Sequence, residues 1–219
     1  MEIEAKLTTR SRRTFAAIAR RRRLGAYRLA PVGVRELETI YLDTPELDLM
    51  RAGVALRIRR AGAEYELTVK RKGRSSRGVH HRPETTWPLR AMPRLPLSLR
   101  RRELADLARL AGARPVVPLV GTRIRRSAIL VVRRGGVAPV AEIACDEVRF
   151  FRSNASGGGG SSKSSYEVEV ELLGGEERDL RTIVREIRAR YALRASSGSK
   201  LERALRWAGV RPPRVRGAR

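Results

Sequence analysis

Three charged side chains at the start of the chain are spaced for chemistry. Met1-Glu2-Ile3-Glu4-Ala5-Lys6 sets charges at alternate positions, with an apolar residue between each pair. Side chains of a strand alternate between its faces, so Glu2, Glu4 and Lys6 share one face and Ile3, Ala5 and Leu7 the other. Two carboxylates about 7 Å apart on one face suit a hard divalent cation, and the lysine beside them can meet an anion. The same alternation recurs in Leu56-Arg57-Ile58-Arg59, in Glu66-Leu67-Thr68-Val69-Lys70 and in Glu167-Val168-Glu169-Val170-Glu171. Any one such strand is what a sheet with one wet face produces. Here the polar positions sort into acid-only and base-only sets, which implies an interior lined with charge.

Positioning those residues requires a sheet. Periodicity predicts strands at 1–8, 34–43, 54–60, 63–72, 79–90, 117–133, 137–150 and 166–173. Helices are expected at 10–23, at 98–112 on the stripe Leu99, Leu104, Leu107 and Leu110, at 176–191, and at 199–208 after the Ser196-Ser197-Gly198 break. Residues 152–165, mostly glycine and serine, read as a mobile hairpin insertion within one domain. Residues 210–219, with Pro212-Pro213 and four arginines, read as a disordered basic tail. Antiparallel strands with charge on alternate positions fit a closed barrel around a wet cavity, its apolar exterior covered by helices. Divalent cations and a multiply charged anion would neutralise such a cavity.

The chain has 219 residues, 42% of them hydrophobic, enough for one large β domain. It contains no run of about 18 apolar residues and opens on a charged strand without a signal-peptide core, so the expectation is a cytoplasmic protein with no membrane partner. The single Cys145 lies in apolar surroundings and reads as packed and inert, and it excludes an internal disulfide or a cysteine zinc site. A formal net charge of +25 calls for anionic partners: polyphosphate or nucleic acid on the basic surface is the expected class. Aromatics at 5% argue against base stacking. His80 and His81 are adjacent on a strand and face opposite ways, which makes them weak acid/base candidates.

With these residues in place the sequence resembles the CYTH domain family, the triphosphate tunnel metalloenzymes. Glu2-x-Glu4-x-Lys6 matches that family's ExExK signature, and further matches follow in order: Tyr41-Leu-Asp43-Thr44-Pro45, Leu56-Arg57-Ile58-Arg59, Leu67-Thr68-Val69-Lys70, Arg82-Pro-Glu84, Arg123-Ile-Arg125, Glu142-x-x-x-Asp146, Glu169-Val-Glu171-Leu and Ser199-Lys200-x-x-Arg203. The resemblance implies an α+β fold, an eight-stranded antiparallel β-barrel forming a triphosphate tunnel with helices packed outside. It assigns residues 1–209 to that domain. It implies Mg2+ or Mn2+ held by Glu2, Glu4, Glu169 and Glu171, with Glu84, Glu142, Asp146 and Glu167 as neighbouring ligands. Arg57, Arg59, Lys70, Arg82, Arg123, Arg125 and Lys200 would clamp phosphate oxygens with Lys6 close by, and Arg126 is the alternate for Arg125. Lys70 and Tyr41 would assist the leaving phosphate, and Glu4 would be essential.

Within the family, the stretches Arg77-Gly-Val-His-His-Arg-Pro-Glu84, Tyr166 to Leu173 and Gly198-Ser-Lys200 look most like the bacterial inorganic triphosphatases, which often carry a C-terminal CHAD helical domain; residues 1–219 hold the CYTH part. The implied activity is metal-dependent hydrolysis of tripolyphosphate to pyrophosphate and phosphate. The alternatives are a non-catalytic polyphosphate- or nucleic-acid-binding module, thiamine triphosphatase and adenylate cyclase. Oligomeric state stays open.

Overall fold

The computed structural model describes residues 1–76, 78–152, 160–196 and 198–213. Along the chain run β1 (Glu2–Thr9), α1 (Arg12–Ala19), β2 (Arg23–Leu24), β3 (Tyr27–Asp43), α2 (Asp48–Arg51), β4 (Val54–Ala61), β5 (Glu64–Arg71), β6 (Arg74–Ser76), β7 (Val79–Arg82) and β8 (Glu84–Leu89). A 3₁₀ turn (Arg102–Leu104) then leads into α3 (Ala105–Ala111), followed by β9 (Val117–Arg133), β10 (Pro139–Arg152), β11 (Ser165–Leu172), α4 (Glu177–Arg190), β12 (Arg194–Ala195) and α5 (Lys200–Trp207).

One antiparallel sheet of 12 described strands runs in the order β6-β7-β1-β11-β10-β9-β3-β4-β5-β8, with β12 on β1 and β2 on β3. The expected antiparallel tunnel is therefore present, walled by a curled sheet instead of a fully laddered barrel. Its two edges are joined through the chain itself. The expected strand 79–90 breaks at Pro83: β7 pairs with β1, whereas β8 pairs with β5. Proline has no N–H to donate, but the Pro83 carbonyl accepts the Arg71 N–H at 2.9 Å, and the corner carries the chain from one edge to the other.

Alternation decides which face meets which layer. The outward residues of β1, β10 and β11 (Ala5, Ile143, Cys145, Val168, Val170) pack beneath α1 and α4 through Phe15, Ile18, Leu180, Ile183 and Ile187. Leu56, Ile58, Leu67 and Val69 on β4 and β5 pack beneath Leu49, Leu104, Leu107 and Ala111. Burial pushes the Cys145 thiol up to about 12, in keeping with a packed, inert cysteine.

The last helix departs from the expectation that helices lie outside. Leu201, Ala204 and Leu205 of α5 pack on Leu37, Tyr41, Ile124 and Val148, which share the inward face of β3, β9 and β10. An apolar stripe inside one end of the sheet needs a cover, and α5, apolar on one side, supplies it. Strand β3 also starts at Tyr27 instead of residue 34. Pro31 and Gly33 read as turn residues, but they sit at an irregularity where β3 slips one residue against β9. Of the expected Gly/Ser loop, residues 153–159 lie outside the described residues. Ser162 is zipped to β10, donating its N–H to the Phe150 carbonyl at 2.9 Å. Of the expected tail, residues 214–219 lie outside the described residues. Among the described residues no helix is long and apolar enough to cross a membrane.

Candidate active site

Cross-strand register builds the site. On β1 and β11, Glu4 stands opposite Glu171 and Lys6 opposite Glu169. On β10, Glu142 faces Glu171 and Asp146 faces Glu167, and on β9 Arg126 faces Asp146. Across the tunnel, Tyr41 on β3 is opposite Arg57 and Thr39 opposite Arg59; Arg59 is opposite Glu66, and Lys70 opposite Glu84. Arg82 on β7 pairs in register with Glu2. One wall is therefore carboxylate-rich and the facing wall is arginine-rich. Between them lies a cavity of about 230 Å3 whose lining includes Glu2, Glu4, Glu171, Arg57, Arg59 and Lys70. It continues at one end into a space of about 260 Å3 and at the other into one of about 640 Å3.

The carboxylates fall into two groups. Glu167, Glu169 and Asp146 are each held by more than one cation, although Glu167 Oε2 makes no hydrogen bond of its own. Lys200 Nζ lies 2.7 Å from Glu169, 3.1 Å from Asp146 and 3.3 Å from Glu167. Arg126 holds Asp146 through two bonds of 2.7 and 2.8 Å and reaches Glu169 at 3.1 Å, while Arg203 bonds Glu167. Burial opposes the charge on Lys200, but Glu167, Glu169 and Asp146 override it and hold the ammonium above its ordinary value. Burial likewise opposes ionisation of Glu169, yet Lys200, Lys6 and Arg126 keep it well below the usual carboxylate range.

Glu2, Glu4 and Glu171 form the second group, which is short of positive charge. Lys70 Nζ bonds Glu2 at 2.6 Å and lies 2.9 Å from Glu84; Lys6 lies 2.7 Å from Glu4. Even so, Glu2 Oε2 is buried without a hydrogen bond. Burial, with the negative charges of Glu2 and Glu4 added, pushes the Glu171 carboxyl up to about 7. Buried carboxylates facing one another, one of them with an unbonded oxygen, fit a hard divalent cation. Among the described residues no three ligand-type side chains are already drawn together around an ion-sized point, because Lys6 and Lys70 hold two of these carboxylates. Glu142, opposite Glu171 on β10, lines the wide end of the tunnel.

The arginine wall faces the same cavity. Arg57 lies 3.3 Å from Glu84, and Arg59 Nε donates to Thr39 at 3.4 Å. Burial, aided by the charges of Arg57 and Arg126, lowers the Arg59 guanidinium to about 10. Burial and then Arg57 lower Lys70 as well. Glu66 lies 3.5 Å from Arg59, and Glu2 and Glu84 flank Lys70, yet burial and the repulsion of neighbouring cations outweigh these acids.

Two expected clamps are not in the tunnel. The side chains of Arg123 and Arg125 are 62% and 55% exposed on the outer face, where they meet Glu38 at 2.9 Å and Glu36 at 3.7 Å. Parity gives the reason: Ile124, Arg126 and Ala128 occupy the inward positions of β9, so the odd-numbered arginines face out. Arg126 is the inward residue. Glu66 and Arg203 were missed as site residues. The alternation Glu66-Leu67-Thr68-Val69-Lys70 signalled the first, and the spacing of three from Lys200 on a helix the second. His80 borders the narrower end of the tunnel, and His81 points away toward Glu177 at 3.5 Å.

A curled antiparallel sheet enclosing opposed acidic and basic walls defines a tunnel protein built for multiply charged anions. The family model of the CYTH domain matches residues 1–205, and the chain belongs to that family. Among solved structures, HpAC1 from Hippeastrum, named as an adenylyl cyclase with a dominant triphosphatase activity, is 21% identical, with a TM-score of 0.64 over 97% of this chain and 98% of that one. A protein from Bacillus halodurans named for adenylate cyclase is 19% identical, with a TM-score of 0.56 over 93% and 96% of the two chains. Another so named, from Vibrio parahaemolyticus, is 14% identical, with a TM-score of 0.52 over 92% and 95%.

Proposed function

We propose that this protein is a divalent-metal-dependent triphosphatase that hydrolyses inorganic tripolyphosphate to pyrophosphate and phosphate inside the tunnel. The observation that carries the reading is the pair of opposed walls across one cavity, with the carboxylates of Glu2, Glu4 and Glu171 and the guanidiniums of Arg57 and Arg59 lining the same space. Phosphoryl transfer asks for alignment and charge neutralisation more than for a covalent partner. Arg57, Arg59, Arg82 and Arg126 present forked donors to phosphate oxygens, and Lys6 and Lys70 act as point charges that exchange a carboxylate for the substrate. Water attacks the terminal phosphorus, the anhydride P–O bond breaks, and the electron pair leaves on the pyrophosphate. Lys70 and Tyr41, which both line the cavity, would donate to that leaving oxygen.

Mg2+ or Mn2+ bound by Glu2, Glu4 and Glu171 would neutralise phosphate charge and lower the pKa of water. Glu167, Glu169 and Asp146 take a different part: they fix Lys200, Arg126 and Arg203 at the base of the cavity. Glu84 positions Lys70 and Arg57, and Glu142 borders Glu171 from β10. The triphosphatase activity named for the Hippeastrum protein agrees with this reading.

The test is release of phosphate and pyrophosphate from tripolyphosphate, ATP and thiamine triphosphate in parallel, with Mg2+, with Mn2+ and with EDTA. Metal-dependent release confined to tripolyphosphate is the expected result. Tight binding of all three without turnover would replace the enzyme with a polyphosphate-binding module, and cyclic AMP from ATP would replace the hydrolase with a cyclase.

A further inference from the structure

Arg23, Arg28 and Arg134 surround a cavity of about 200 Å3 at the tip of the sheet, where β2 folds back on β3 and β9 turns into β10. The rest of its lining is glycine, alanine and Tyr27, with no carboxylate among it. None of these residues lines the tunnel or either of its ends.

The register itself makes this cluster unfavourable. Arg23 stands directly opposite Arg28, and like charges at opposed positions of an antiparallel pair destabilise it. Arg134 is held beside them by its own N–H, which donates to the Ala26 carbonyl at 2.9 Å. Neighbouring arginines find acids: Arg133 lies 2.6 Å from Asp179, and Arg190 lies 2.6 Å from Glu186, the carboxylate that borders Gly25. Among the described residues the guanidiniums of Arg23, Arg28 and Arg134 have no hydrogen bond, ion pair or ring contact. Three unpaired forks line a recess whose one bordering carboxylate, Glu186, is already held by Arg190, which leaves them without an anionic partner.

We propose that this tip is a second anion site, separate from the tunnel, that takes a phosphate group. Guanidinium forks match phosphate oxygens in paired bonds, and three of them supply more donors than one phosphate needs. Gly135 has φ of +79° and a Cβ there would meet nothing within 4 Å, so its backbone leaves the recess open on that side, whereas Gly25 backs onto the Glu186 carboxylate that Arg190 holds. A free phosphate and the phosphodiester of a nucleic acid share this chemistry.

The test maps arginine modification by phenylglyoxal on the wild-type protein by mass spectrometry, at matched ionic strength. It is run alone, with orthophosphate, and with an oligothymidylate lacking terminal phosphates. Arg109, exposed on α3 and unpaired, is the control. Modification of Arg23, Arg28 and Arg134 is expected to slow by at least about threefold, with Arg109 unchanged, as paired bonds shield the guanidinium nitrogens. Protection by the oligothymidylate assigns the site to a nucleic-acid backbone, and protection by orthophosphate only assigns it to free phosphate. In Arg28→Gln the protection of Arg23 and Arg134 should vanish while turnover of tripolyphosphate is kept. Absence of protection, equal protection of Arg109, or protection that survives Arg28→Gln would overturn the site.

Discussion

Individual side chains differ in what their loss should do, because the same carboxylate type serves two roles in one tunnel. Glu4 is buried, held by Lys6 at 2.7 Å, and faces Glu171, so on the proposed function Glu4→Gln should reduce tripolyphosphate turnover by at least about a hundredfold, as the loss of a proposed metal ligand, and leave circular dichroism unchanged. Full turnover in that variant would remove Glu4 from the chemistry. Lys200 instead serves structure, holding three acids within 3.3 Å. Lys200→Met should destabilise the fold by roughly 3–5 kcal/mol at neutral pH, because breaking a buried pair leaves charge uncompensated. The sign of its pH dependence follows from Asp146 and Glu169, both held below their ordinary values by Lys200 and its neighbours despite burial. Their stabilisation is present above the unfolded carboxylate pKa and lost as pH falls, so urea midpoints of variant and wild type should converge in acid. The outward arginines give the complementary expectation. Arg123→Ala and Arg125→Ala should leave kcat/KM within about twofold, whereas Arg57→Ala should lower it by at least about tenfold, the worth of a charge-assisted phosphate contact.

At the scale of elements, caps and close approaches decide how well the walls are held. Helix α5 starts at Ser199, whose hydroxyl accepts the Glu202 N–H at 3.2 Å while Glu202 accepts the Ser199 N–H at 2.6 Å. That reciprocal cap fixes the first turn and with it Lys200. Ser199→Ala should cost about 1 kcal/mol, read as a shift in urea midpoint. Helix α4 is pinned by Asp179, which accepts from Arg133, from the Glu176 N–H and from Tyr27. The Arg133 bonds, followed by the Glu176 N–H and the Tyr27 hydroxyl, outweigh burial and lower Asp179 to about 2. A depressed carboxyl stabilises above its unfolded pKa, about 4, and loses that contribution as pH falls toward 2. Asp179→Asn should therefore be less stable than wild type at pH 7 and match it near pH 2; a gap that persists in acid would assign the loss to packing. Gly73 closes the turn between β5 and β6, where a Cβ would stand 1.7 Å from the His81 carbonyl oxygen. Gly73→Ala should force β6 off β7 and open the narrower end of the tunnel, visible as faster amide exchange at Val79 to Arg82.

For the whole molecule, the net charge of +25 places a tunnel for anions inside a positive field. Attraction of this kind acts before binding and is screened within about 8–10 Å at physiological salt. Raising ionic strength should lower kcat/KM for tripolyphosphate and leave kcat unchanged in a salt titration of initial rates. Equal loss of both would place the salt effect on the chemistry inside the tunnel.

Much of this molecule was legible in its residues. Alternation along β1, β4, β5 and β11 gave both strand and facing, because the side-chain period of a strand is two and one face must be buried. The same rule placed Glu2, Glu4, Glu169 and Glu171 on one surface and Arg57 with Arg59 on another. It failed where two arginines are adjacent: Arg125 and Arg126 carry the same charge, and only the pairing of β9 with β10 and β3 chose Arg126 for the inside. Composition could not indicate that Pro83 turns one strand into the link between two sheet edges, because its carbonyl partner, the Arg71 N–H, lies 12 residues away. Nor could it divide the carboxylates into a group held by Lys200 and the group of Glu2, Glu4 and Glu171 that Lys200 does not reach. That division depends on α5 lying inside the sheet, and the position of a helix against a distant strand is fixed by packing. The sequence by itself determined which side chains share a face; the tertiary structure decided which faces meet, since local periodicity carries no information about partners far along the chain.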